Sequence, residues 1–198
     1  MLALLLACAS PAPAPGSVLL EGAPHVVQRP DFCGEACVEM ALARLGYTVD
    51  QDAVFDAAGV DPALGRGLVA RELYATLLAF GFAVGDTWYP LPVAPQWDAL
   101  LADLHAGVPS IVCLTTEGGG EHFVLVLGYD AGTDELVVHD PGDVDGAHAR
   151  LPRSRFLARW PLGGHTLVRL RLEPMAPLTL PTPADGVTPA DLAQAVRR

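Results

Sequence analysis

Cysteine at positions 8, 33, 37 and 113 and histidine at 25, 105, 122, 139, 148 and 165 supply the nucleophilic and acid–base repertoire of this 198-residue chain. Lysine is absent, and all 12 basic residues are arginine. That excludes a Schiff-base lysine, a phosphate-loop lysine and a serine–lysine dyad. The 23 acidic residues bring the net charge to −11, a poor match for nucleic acid or an anionic membrane surface. Four cysteines are too few for a disulfide framework at this length, so each needs its own account.

Cys33 stands where a helical pattern begins. Cys37, Val38, Ala41, Leu42 and Leu45 follow at helical spacing, and Gly46 ends the run. Unpaired N–H groups and the positive end of the helix dipole favour a thiolate at such a start, which selects Cys33 over Cys37 as nucleophile. A nucleophilic thiol also needs a base, and the base needs an orienting group. Strand pairing selects among the six histidines. His122–Tyr129 and Glu135–Asp140 read as strands joined by a turn at 130–134. With a five-residue turn, Tyr129 faces Glu135 and Asp140 faces Val124. His122 then lies two positions along on the same face, within reach of Asp140. A loop one residue shorter or longer would reverse that assignment and send Asp140 to the other face.

The elements that must position these groups change character along the chain. Half of the residues are hydrophobic (51%) and 18% are charged, which suits one folded domain with a large core. Helices are expected at Gln51–Ala58, capped by Asp50, and at Leu68–Phe80, with Val69, Leu73, Leu77 and Phe80 in one stripe. A further helix follows the Pro-rich segment 89–95 and carries Trp97, Leu100, Leu101 and Leu104 up to Gly107. Strands are expected at Val108–Leu114, His122–Tyr129, Glu135–Asp140 and Thr166–Leu172, the last half-exposed with Arg169 and Arg171 outward. Helices first and antiparallel strands later point to an α+β fold. Trp88, Tyr89 and Trp97 suit either a substrate cleft or the core, and Gly118–Gly120 suits either a mobile rim or a plain connection. His139 reads as solvent-facing or structural. His25, His105, His148 and His165 need no role.

Four blocks resemble, in the same order, the bacteriocin-processing peptidases that cut double-glycine leader peptides. They are Gln28-x4-Cys33-Gly34-Glu35-Ala36-Cys37 continuing to Gly46, then Leu104–Val112, His122–Tyr129, and Val138–Pro141. The resemblance implies a papain-like cysteine peptidase fold, with a helical N-terminal half packed on an antiparallel sheet from the C-terminal half. It implies Cys33 as nucleophile, His122 as general base and acid, and Asp140 as the group that orients His122. It further implies an oxyanion hole built from the Gln28 side-chain amide and the Cys33 backbone N–H. No cofactor is implied.

Leu5-Leu6-Ala7-Cys8 resembles a bacterial lipoprotein signal, which implies lipidation of Cys8 and attachment to the cell envelope. The apolar run before Cys8 is far shorter than the ~20 residues that span a bilayer. The expected division is a signal segment at 1–7, a Pro/Ala-rich linker at 8–17, a peptidase domain at 18–173 and a Pro-rich tail at 174–198 with a short helix. The expected activity is hydrolysis of peptide bonds by a free-standing enzyme not fused to a transporter, with a peptide or protein substrate and a separate export partner. The alternatives are a non-catalytic papain-like binding or assembly lipoprotein, and a zinc site built from Cys33, Cys37 and His122. The zinc site lacks a second Cys/His pair at ligand spacing. A Cys33–Cys37 disulfide is disfavoured within one helix, and Cys37 and Cys113 read as core residues.

Overall fold

A computed structural model of the chain describes residues 16–175 and 178. In chain order its elements are β1 (Val18–Leu19), α1 (Cys33–Arg44), α2 (Gln51–Ala58), a 3-10 turn (Pro62–Leu64), α3 (Ala70–Phe80), β2 (Phe82–Ala83), β3 (Trp88–Pro90), α4 (Ala94–His105), β4 (Ser110–Thr115), β5 (Glu121–Asp130), β6 (Glu135–His139), β7 (Ala149–Pro152), α5 (Arg153–Arg159), β8 (Pro161–Leu162), β9 (Thr166–Arg171) and β10 (Glu173–Pro174). The main sheet runs β3–β9–β4–β5–β6–β7, with β1 beside β5 and β8 beside β9, and every pairing is antiparallel. The architecture is α+β, as the order of periodicities implies.

Local chemistry accounts for the helix ends. Asp50 caps α2 by accepting the Ala53 N–H, and Gly59 closes it in a left-handed conformation. The expected helix from Leu68 begins instead at Ala70. Val69 is its cap residue and half-exposed, and Glu72 reaches back to the Val69 N–H at 2.9 Å. Pro95 belongs to the first turn of α4, where its missing N–H costs nothing.

α1 lies across β4 and β5 and packs on α2 and α3, while α4 and α5 meet the sheet around Trp97, Phe156 and Trp160. The core is continuous: Cys37, Val38, Leu42, Leu73 and Leu77 from the helices join Ile111, Cys113, Leu125 and Leu170 from the sheet. The β9 strand departs from its expected half-exposure. It lies between β3 and β4, and Arg169 is 4% exposed. Its guanidinium meets Asp103 of α4 at 2.6 Å, and Asp103 also accepts from Arg171 at 2.8 Å. Alternation of Val and Arg therefore marks the two faces of a buried strand, one of them neutralised from a helix far away in sequence.

The β5–β6 hairpin is the element on which the site depends. Its turn is one residue shorter than expected, since Asp130 pairs with Glu135 and Tyr129 with Leu136. A β-bulge between Val126 and Gly128 then shifts the register back, so that Leu125 pairs with His139. Gly128, beside the bulge, admits the backbone of β1: a Cβ there would lie 2.5 Å from the Val18 carbonyl oxygen. The two departures cancel, and Asp140 faces Val124 as the longer turn would have placed it.

Candidate active site

Cys33 is the first residue of α1, after Phe32 and the left-handed Asp31 (φ 65°). Its N–H has no helical partner, and its side chain is the only partly exposed cysteine among the described residues. The Cys33 Sγ accepts the Phe123 N–H at 3.5 Å, which ties the helix start to β5 one residue after His122. His122 enters from the start of β5. Its Nε2 lies 2.6 Å from Asp140 Oδ1, and Cys33 Sγ is tied to the same stretch of β5 by the N–H of the next residue, Phe123. With Nε2 given to Asp140, the nitrogen left for Cys33 is Nδ1.

Electrostatics follow from these contacts. Burial disfavours a charged His122, yet the hydrogen bonds to Asp140 and Cys33 prevail and raise it to about 9. Asp140 is likewise penalised by burial, but the His122 bond and charge and the Gly142 N–H hold its carboxyl below the usual range. The other two described cysteines differ sharply. Burial pushes the Cys37 thiol well up and the Cys113 thiol up to about 12, so both are inert core side chains.

The loop that follows β6 grips Asp140. Its Oδ1 accepts the Gly142 N–H at 2.9 Å, and its own N–H donates to the Gly146 carbonyl at 3.0 Å. Gly142 has no room for a side chain. A Cβ there would stand 3.0 Å from His122 Cε1 and 3.3 Å from Asp140 Oδ1. Gln28 reaches the same loop through its backbone, donating to the Pro141 carbonyl at 2.8 Å. Its buried side-chain oxygen has no partner among the described residues.

The structure thus brings Cys33, His122, Asp140 and Gln28 together where β5 begins and β6 ends, while Cys8 lies outside the described residues. Sequence reading missed Gly142, whose only signal was its place two residues after a carboxylate, as in an Asx turn. It also missed His25, which donates from Nε2 to the Asp140 carbonyl at 2.8 Å. His139, one of whose expected states was exposure, is fully buried and structural. Trp97 is core, packed on Tyr129 and Phe156, whereas Trp88 is half-exposed beside Tyr74. It lines an open cavity of about 530 Å³ together with Arg71, Glu121 and Val168. Gly118–Gly120 lies in the β4–β5 turn, where the Thr116 N–H donates to the Gly120 carbonyl at 2.8 Å. Among the described residues no helix is long and apolar enough to cross a membrane.

A family model described as the Peptidase_C39 like family matches residues 20–167. No curated protein sequence matches the chain. Among solved structures, xylellain, a cysteine protease from Xylella fastidiosa, is 14% identical with a TM-score of 0.58 over 81% of this chain and 87% of that one. The peptidase domain of Streptococcus ComA, a bifunctional ABC transporter, is 16% identical with a TM-score of 0.54 over 76% of this chain and 98% of that one. A double-glycine-motif protease from an AMS/PCAT transporter, solved with its leader peptide, is 18% identical with a TM-score of 0.52 over 80% of this chain and 99% of that one. These likenesses are of fold, and they agree with a family match that spans the helical half and most of the sheet: the chain belongs to the Peptidase_C39 like family.

Proposed function

We propose that the chain is a cysteine peptidase that hydrolyses peptide bonds with Cys33, His122 and Asp140 as its triad. The observation that carries the reading is the His122 Nε2–Asp140 Oδ1 contact at 2.6 Å, with Cys33 Sγ, at the start of α1, held by the N–H of the residue after His122 at 3.5 Å. In that arrangement the imidazole takes the thiol proton, and Cys33 Sγ attacks the carbonyl carbon of the scissile bond. The Cys33 N–H and the Gln28 amide are the donors available to the oxyanion. As the tetrahedral intermediate collapses, His122 protonates the leaving amine and a thioester remains on Cys33. Water, deprotonated by His122, then attacks the thioester and frees Cys33 and the carboxylate product. Asp140 keeps the proton-transferring nitrogen on the Cys33 side throughout.

The substrate class is a peptide or protein, in keeping with the leader peptide seen with one structural neighbour. Cys8 anchors the enzyme to the bacterial envelope through lipid. The Leu5–Cys8 signal and the Pro/Ala-rich stretch after it support the anchor. The domain spans 18–173.

Incubation with a panel of fluorogenic peptides, with and without a glycine pair, tests the activity. Rapid quenching and mass spectrometry should reveal a peptide acyl group on Cys33. Turnover that survives Cys33→Ala would sink the proposal. For the anchor, Cys8→Ser should release the protein from membranes, and unchanged fractionation would count against it.

A further inference from the structure

Three hydrogen bonds stitch the segment before α1 to the end of β6. The His139 ring donates from Nε2 to the Ala23 carbonyl at 3.0 Å, His25 donates from Nε2 to the Asp140 carbonyl at 2.8 Å, and the Gln28 N–H donates to the Pro141 carbonyl at 2.8 Å. The rings reinforce the seam. His25 and His139 meet edge to face with centroids 5.6 Å apart, and His139 and His148 do so at 4.6 Å. His139 is fully buried, and its Nδ1 accepts the His148 N–H at 3.0 Å, so both of its nitrogens are committed and the ring is neutral. His148 is held there in a left-handed conformation (φ 51°), uncommon for a side chain of its size.

We propose that His25 is a positioning residue for Asp140, and that the His25–His139–His148 seam sets the aim of the Asp140 carboxylate at His122. This rests on the triad proposed above. The reasoning is geometric. Asp140 stands beyond the last residue of β6, so the strand ladder does not hold it. Its N–H is held by Gly146 and its carboxylate by Gly142, both from the following loop. Besides the His122 bond whose aim is at issue, the His25 bond to its carbonyl is the contact that ties Asp140 to a segment outside its own loop. It also shares a short segment with Gln28, so one seam registers the acid side of the site against the oxyanion side. A shift of the order of 1 Å at such a contact is enough to degrade proton-transfer geometry.

The test separates the hydrogen bond from the packing. His25→Phe keeps a ring against His139 and removes the donor, whereas His25→Gln keeps an N–H donor and removes the ring. Asp140→Ala serves as reference. Two quantities are read in each variant: the His122 imidazole titration by NMR, and the rate at which iodoacetamide alkylates Cys33 across pH. His25→Phe should lower the His122 midpoint by about one unit and slow alkylation at neutral pH about tenfold, with His25→Gln near wild type. Thermal unfolding of both variants shows whether they fold. If only His25→Gln folds, wild-type values there and loss in His25→Asp, which has no N–H donor in its side chain, support the proposal. Wild-type titration and alkylation in folded His25→Phe, with Asp140→Ala strongly altered, would overturn the positioning role alone. An unaltered Asp140→Ala would instead overturn the triad.

Discussion

Two carboxylates lie close to the start of α1, the partly exposed Asp140 and the fully buried Glu35, and the fold treats them in opposite ways. Asp140 meets a histidine, a backbone N–H and the loop that wraps it, and its carboxyl is held ionised. Glu35, two residues after Cys33, is fully buried and meets no cation at contact distance among the described residues. One oxygen accepts the Leu68 N–H at 2.8 Å, and the other has no partner among the described residues. Burial raises Glu35 to about 7. The same functional group is thus an anion just past the end of β6 and a proton holder at the α1–α3 junction. The difference teaches that proximity to the nucleophile does not define the site; partners do. Asp103, bridged to Arg169 and Arg171, shows a third outcome, in which charge is retained inside the fold by paired guanidinium groups.

The comparison can be broken first on its catalytic side. His122→Ala should lower peptidase turnover by about 10²–10⁴-fold, and Asp140→Ala by less, because the ring survives without its guide. Steady-state kinetics on one peptide substrate measure both, and equal wild-type rates would contradict the assignment. Breaking the Asp103 bridge should damage stability instead of chemistry. Asp103→Ala leaves Arg169 buried and unpaired, at a cost of about 3–5 kcal/mol in chemical denaturation.

Glu35 sharpens the contrast through pH. A carboxyl that titrates higher folded than unfolded binds its proton more tightly in the fold. Its stabilising contribution is complete below pH 4.5 and is lost as pH rises through 7. Glu35→Gln, which keeps an acceptor for Leu68, should remove a decline of about 2–3 kcal/mol between pH 5 and 9. His122 adds a second decline of the same sign, because its folded value of about 9 lies above the ordinary 6.5. That decline should persist in Glu35→Gln and disappear in His122→Ala. Urea unfolding across pH separates the two; a Glu35→Gln curve parallel to wild type would refute the account of Glu35. The smallest effect is expected at Gly142→Ala. The added methyl presses on His122 Cε1, and a loss of activity of about tenfold with little change in Tm is the expected result.

How much of this was legible in the sequence depends on the range over which each feature is determined. Cys33 at a helix start and Asp50 as a cap are local facts, written in adjacent residues. The His122–Asp140 pair was legible through strand parity, but only because a shorter turn and a bulge offset each other. Nothing in the residues 126–135 announces the bulge except Gly128, whose requirement comes from β1, far away in the chain. β7 and α5 escaped notice because Arg150, Arg153, Arg155 and Arg159 dilute their apolar pattern. The spacing of Phe156 and Trp160 was the usable helical signal. Arg169 looked solvent-facing because alternation cannot reveal a counter-ion 66 residues away. His25 is 115 residues from its partner, and no local pattern predicts such a contact.

The central claim is that Cys33 is a nucleophile made reactive by His122. Native protein should be treated with iodoacetamide at neutral pH and the adducts mapped by mass spectrometry, in wild type and in His122→Ala. Rapid modification of Cys33, with Cys37 and Cys113 untouched, and its loss in His122→Ala is the result the account predicts. Cys33 modified no faster than Cys113, or equally fast without His122, would contradict it.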